Sequence, residues 1–179
     1  SDLPSIEADV EEELADMFAP GTPSEIAPTS KGREIRMIDA IQEGLGISME
    51  KNPSMICMGQ DIGAYGGVFK VTDGFVDRFG AERVRSTPLC ESAIVGAALG
   101  LSIRGRKSMM EMQFADFVTC GFNQIVNNLA KIHWRWNQAA DVVVRMPTGG
   151  GAGAGPYHSQ SIEAWFLHVP GLKIAYPST

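Results

Sequence analysis

Apolar positions along the chain change period several times, and each change marks an element. Ile35, Ile38, Ile41, Leu45 and Met49 recur on one face of a helix. Asn52-Pro53 stops that helix. A short apolar strand follows over Met55–Met58. Gly63, Gly66 and Gly67 make a turning segment, and Thr72 or Asp73 is expected to cap a short helix running to Phe79. A strand around Val84 ends at Pro88. Glu91–Ile103 reads as a helix, with Gly96, Ala97 and Gly100 leaving room for another backbone to approach. Lys107–Met112 reads as a strand, and one long helix is expected from Phe117 to about Trp134, burying Ile125, Leu129 and Ile132. Asp141–Met146 is a strand closed by Pro147. Five glycines lie between 149 and 155, then Ser161 or Glu163 opens a short helix through Leu167, and Leu172–Tyr176 is expected as a last strand.

Short strands alternating with helices predict an α/β fold, a three-layer open and mostly parallel sheet flanked by helices. Sites in such sheets lie beyond the carboxyl ends of the strands. The polar and glycine-rich stretches 59–67, 86–91, 113–116 and 147–160 fall there.

Residues 1–33 have a different character. Glu7, Asp9, Glu11, Glu12, Glu13 and Asp16 are an acidic cluster, and Val10, Leu14 and Met17 fit a short helix. Pro20, Gly21, Pro23 and Pro28 follow, so the segment reads as a linker or tail, with a strap docked on a partner as the alternative. The chain begins without Met and ends just after the last expected strand, so we expect it to be a piece of a longer polypeptide, with the domain of residues 34–179 truncated at its C-terminus.

Composition narrows the function. The net charge is −6, from 15 basic and 21 acidic residues, which disfavours nucleic acid and anionic membranes as partners. No apolar run reaches the roughly 18–20 residues that cross a bilayer. Cys57, Cys90 and Cys120 are widely spaced beside apolar residues, as expected for buried thiols in a reducing compartment, here the cytoplasm.

Glu91 and His158 are the leading chemical candidates. Glu91 follows the apolar Pro88-Leu-Cys90 at a helix start, and either exchanges a proton with a ligand or satisfies backbone donors there. His158 follows the glycine-rich loop within Tyr157-His-Ser-Gln160, and either moves protons or makes a structural hydrogen bond. His133 and His168 read as packing or capping residues, Gln60 and Asp61 as a turn-stabilising pair, and Asp116 as a helix cap. The glycine loop lacks the Gly-Lys-Ser/Thr ending of a nucleotide-phosphate loop. Trp134 and Trp136 beside Arg135 suggest a subunit contact. Residue chemistry alone therefore yields an α/β domain with a polar cleft.

Seven stretches together resemble one family: Gly59-Gln-Asp61, Gly66-Gly-Val-Phe69, Thr87-Pro-Leu-Cys-Glu91, Gln113-Phe-Ala-Asp116, Asn123-Gln-Ile-Val126, His158-Ser-Gln-Ser161 and Pro170-Gly-Leu-Lys173. They resemble the beta subunit of the thiamine-diphosphate-dependent 2-oxo acid dehydrogenases, over Ile35–Thr179. The resemblance implies a transketolase-like, pyrimidine-binding domain. It implies that Glu91 contacts the aminopyrimidine of thiamine diphosphate, that Gln60, Gln113 and Phe117 line the cofactor pocket, and that His158 serves substrate handling and acyl transfer. Diphosphate and Mg2+ are then held by an alpha-type domain. A second beta-type domain and the lipoyl domain of the acyltransferase component are the other implied partners.

Gln60 stands where the family usually has glutamate, and Phe117 where tyrosine is common. Arg135-Trp-Asn-Gln138 departs from the family's Ser-Gly-Gly pattern, so no potassium or other metal site is assigned to this chain. Thr87-Pro-Leu-Cys-Glu91 and Gln113-Phe-Ala-Asp116 favour branched-chain 2-oxo acids; pyruvate or acetoin dehydrogenases, a transketolase-like carboligase and a non-catalytic structural domain are the alternatives. Family beta chains start near Arg33, so residues 1–32 are expected to be a tail or a linker from a fused alpha portion, and the piece alone is expected to be inactive.

Overall fold

The computed structural model describes residues 4, 5, 7–21 and 32–177. Most of the proline-rich stretch, including Pro23 and Pro28, lies outside them. Helix α1 (Val10–Ala15) starts at Asp9, whose carboxylate accepts from Glu11 N (2.9 Å) and Glu12 N (3.0 Å). It buries none of its residues, and Val10 and Leu14 face solvent. Among the described residues, one side-chain hydrogen bond ties it to the sheet-bearing part of the chain: Trp134 Nε1 donates to Glu13 Oε2 at 3.0 Å.

Helix α2 (Met37–Lys51) carries the expected stripe from Ile38 to Met49, whereas Ile35 lies before the helix and is exposed; the helix closes at Asn52, whose side chain donates to Ser48 O (2.8 Å). Then come β1 (Ile56–Gly59), α3 (Phe75–Phe79), β2 (Val84–Ser86) and α4 (Glu91–Ile103). The chain continues with β3 (Ser108–Glu111), a 3-10 turn (Ala115–Phe117), α5 (Val118–Asn123), a π-helical turn (Gln124–Leu129), α6 (Ile132–Trp136) and β4 (Val142–Arg145). The four strands form one parallel sheet in the order β2-β1-β3-β4.

Strand β1 is central and buried on both faces, which explains its unbroken apolar run. Alternate side chains feed two cores. Ile56, Met58 and Met110 pack with Ile94, Val95, Ala98, Val118 and Ile125 on one face. Met55, Cys57 and Met109 pack with Met49, Phe75 and Val84 on the other. Helices thus cover both faces, giving the three layers expected. Where β1 and β3 pair, Gly59 is opposite Glu111, and a Cβ on Gly59 would stand 2.6 Å from the Glu111 carbonyl oxygen.

Several expectations need correction. Neither Thr72 nor Asp73 caps α3; Gly74 holds that position, and Thr72 is buried with Oγ1 donating to Ile62 O (2.7 Å). The long helix expected from Phe117 to Trp134 is broken. Ala130 N reaches Ile125 O, five residues back, at 2.9 Å, which inserts one extra residue into the turn. The shifted Ala130 carbonyl then meets Gly171, where a Cβ would lie 1.9 Å from it and where φ is +90°. Residues 163–166 form a 3-10 turn rather than a longer helix; Glu163, one of the two expected starts, is its first residue, with Ile162 in the cap position.

No strand forms over 172–176 among the described residues. Ile174 and Tyr176 are exposed there, with no neighbouring strand to pair with. A Cβ on Gly100 would meet no atom within 4 Å from outside its own helix among the described residues, so no close-packed helix there accounts for it. Of the three free cysteines only Cys57 is buried, its thiol pushed up to about 12 by that burial; Cys90 is half-buried and Cys120 exposed, because its side of α5 faces away from the core.

Candidate active site

All four strands run parallel, so their carboxyl ends share one edge of the sheet. Ser86, Gly59, Glu111 and Arg145 are aligned across it in register. The segments leaving this edge are the four stretches singled out in the sequence. Gly59 O accepts from Thr87 N at 2.9 Å, and Ser86 Oγ accepts from Gly63 N at 2.9 Å, so the first two loops are stitched together.

Beneath the edge, Glu111 is 3% exposed and paired with Arg145. Burial raises the Glu111 pKa above its ordinary value, and the Arg145 guanidinium works against that. The pair ties β3 to β4 where the loops depart.

Glu91 is half-buried as the first residue of α4. Cys90 offers no side-chain cap, leaving the Glu91 carboxylate as the acidic group of the first turn. Gln60 is half-buried just beyond β1. Gln113, just beyond β3, donates from Nε2 to Asp61 Oδ2 at 3.0 Å. Asp61 has φ +59°, a left-handed backbone that few non-glycine residues adopt. The Gln113 bond fixes its side chain while the backbone turns.

His158 and Phe117 are brought together. The imidazole meets the Phe117 ring edge-on, centroids 5.4 Å apart, and the Phe114 ring at 4.8 Å. Phe69 packs on Phe114 at 5.5 Å. His158 thus stands in an aromatic wall built from three separate loops. Glu91 shares the sheet edge with these groups but makes no hydrogen bond to them among the described residues.

Asp116 was missed as a site residue. It does not act as a side-chain cap to α5; it is 8% exposed, and its Oδ1 accepts from Gln160 N (3.3 Å) and Gln160 Nε2 (2.9 Å). The one signal available was a lone carboxylate in the apolar run from Met112 to Val118. Phe69 and Phe114 also went unassigned, because their shared wall joins residues far apart in sequence.

This arrangement offers a carboxylate, two amides, an imidazole and aromatic edges at the end of a parallel sheet. Residues 33–179 match the family described as transketolase, pyrimidine binding domain. The chain belongs to that family. The pyrimidine-binding domain is 48% identical over 144 residues to the 2-oxoisovalerate dehydrogenase subunit beta of Bacillus subtilis, covering 79% of this chain and 44% of that protein. It is 42% identical over 159 residues to the pyruvate dehydrogenase E1 component subunit beta of Leifsonia xyli, 88% of this chain and 47% of that one. Against the 3-methyl-2-oxobutanoate dehydrogenase subunit beta of Mycobacterium tuberculosis it is 41% identical over 165 residues, 89% and 47%. The chain spans less than half the length of these curated relatives. The similarity to beta subunits of 2-oxo acid dehydrogenases, expected from the seven stretches, holds.

Among the described residues of the pyrimidine-binding domain, no three His, Cys, Asp or Glu side chains are grouped to hold a metal ion. No Lys or Arg lies in 59–67, 86–91, 113–117 or 147–160. No helix of the described residues is long and apolar enough to cross a membrane.

Proposed function

We propose that this domain is the pyrimidine-facing half of the first component of a branched-chain 2-oxo acid dehydrogenase complex. Residues 34–179 form the domain on this reading, and 1–33 the linker or tail. The half-buried Glu91 carboxylate, opening a helix at the carboxyl edge of the sheet, is the observation that carries it. Such a group is placed to hold a proton and share it with a ring nitrogen.

Thiamine diphosphate, when bound, supplies the electron sink for decarboxylation of a 2-oxo acid. Glu91 would be the group that exchanges a proton with the aminopyrimidine. Gln60 and Gln113 would offer amides to the ring, and Phe117 an apolar surface. His158 moves protons for substrate and for acyl transfer to a lipoyl group, held against Phe117 rather than free in solvent. Mg2+ and the diphosphate fall to an alpha-type domain on this reading, which the lack of Lys or Arg in these four loops and of a cluster of three metal-binding side chains among the described residues supports.

Besides the alpha-type domain, the partners are a second beta-type domain and the lipoyl domain of the acyltransferase component. An open groove of about 590 Å³ beside Met58, Thr87, Ala97 and Gly100 is suited to a neighbouring domain. The buried Thr87 hydroxyl there has no hydrogen-bond partner among the described residues. Assembly takes place in the cytoplasm on this reading.

Pyruvate is the second substrate reading, favoured by the 42% identity to a pyruvate dehydrogenase beta subunit. The deciding experiment assays the full-length parent protein on 2-oxoisovalerate and pyruvate, with thiamine diphosphate and magnesium, beside its Glu91→Gln version. We expect preference for the branched acid and a loss of roughly 100-fold or more in the variant. No turnover of either acid by folded, cofactor-loaded protein overturns the reading.

A further inference from the structure

The loop that delivers His158 contains Gly149, Gly150, Gly151, Gly153 and Gly155, the residue type least able to hold a side chain in place. Its base, however, is closed at several points. Gln160 O accepts from Gly149 N (3.3 Å) and from Thr148 Oγ1 (3.0 Å). On its other side Gln160 donates both its backbone N–H and its side-chain amide to Asp116 Oδ1.

Asp116 is buried on the 3-10 turn between Phe114 and Phe117, the two rings that meet His158. The carboxylate that pins the loop and the rings that receive the imidazole are therefore one rigid piece. A buried carboxylate demands strong donors, and bonds to a charged acceptor are about twice as strong as neutral ones. All side-chain hydrogen bonds of Asp116 among the described residues come from Gln160.

We propose that Asp116 and Gln160 are positioning residues, a clamp that holds His158 in place for proton transfer. The inference rests on the reading of His158 given under the proposed function. Without the clamp, a glycine-rich loop lets the imidazole sample many positions, and the gain from fixed orientation is lost.

The test uses the full-length parent protein with its alpha-type portion, thiamine diphosphate and magnesium. Gln160 is exposed, so Gln160→Leu removes the side-chain bond without opening the core. Two quantities are read: kcat and KM for the 2-oxo acid with lipoyl acceptor, and the rate at which diethylpyrocarbonate modifies His158. The exposed His168 in the same digest is the reference.

We expect kcat to fall about tenfold, equivalent to about 1.4 kcal/mol, with KM little changed. Modification of His158 quickens while that of His168 does not. Gln160→Glu alone sets two carboxylates together and is worse than Gln160→Leu. The double variant Asp116→Asn/Gln160→Glu restores an amide–carboxylate bond with the roles exchanged and recovers most of the loss, which a merely structural defect would not do. An unchanged His158 modification rate in Gln160→Leu, or no recovery in the double variant, overturns the clamp. Quicker modification with undiminished kcat supports the clamp and overturns the catalytic reading of His158 instead.

Discussion

Gly59 and Glu111 lie opposite each other in parallel strands, so close that a methyl group on Gly59 would stand 2.6 Å from the Glu111 carbonyl oxygen. That oxygen is backbone and cannot swing aside. Gly59 also accepts the Thr87 N–H that joins two site loops. Gly59→Ala should therefore part β1 from β3 at the edge where the site begins. We expect a loss of about 1–3 kcal/mol in stability, read as a lower urea midpoint with little change in slope. A midpoint equal to wild type would mean that the strands separate at no cost.

Glu111 gives the fold a pH dependence whose sign follows from its burial. Its pKa is raised in the folded chain, first by desolvation and against the pull of Arg145. Between the ordinary value of 4.5 and that raised value, the folded state holds more protons than the unfolded one. The contribution is full below the ordinary value and is lost as pH rises through the raised one. Glu111→Gln should remove this slope from denaturation midpoints measured across the mildly acidic range. It should also cost about 3 kcal/mol, the lower end for breaking a buried pair, since Arg145 remains 18% exposed. An identical pH slope in the variant would assign the dependence to another group.

Asp61 links strain to the site. Its backbone is left-handed at φ +59°, and its side chain accepts from Gln113. Asn tolerates that conformation and keeps an acceptor oxygen, whereas a β-branched residue does neither. In the full-length protein, Asp61→Asn should retain stability to within about 0.5 kcal/mol, and Asp61→Val should lose about 1–3 kcal/mol. Thermal unfolding of the two variants side by side checks this; equal losses would remove backbone strain as the cause.

Some of this was legible one segment at a time. The limits of α4, read as Glu91–Ile103, coincide with those in the structure because a helix start and its stripe are local signals. The strands around 56, 84, 108 and 142 were visible as apolar runs bounded by turn residues. Their common direction follows from the alternation with helices, and it brings the segments carrying Gln60, Glu91, Gln113 and His158 to one edge.

Three features were decided only by tertiary structure. Leu172–Tyr176 has strand composition, but a strand exists through a neighbour's hydrogen bonds, and no described strand supplies them. The helix after Phe117 has continuous periodicity, yet Ala130 bonds five residues back, with its carbonyl set against Gly171. Asp116 sits where a helix cap belongs and instead binds Gln160, 44 residues on. Periodicity and turn chemistry act over a few residues, so the sequence by itself determined the elements and their order. Which carboxylate meets which amide depends on distances that exist only once the sheet has brought its loops to one edge.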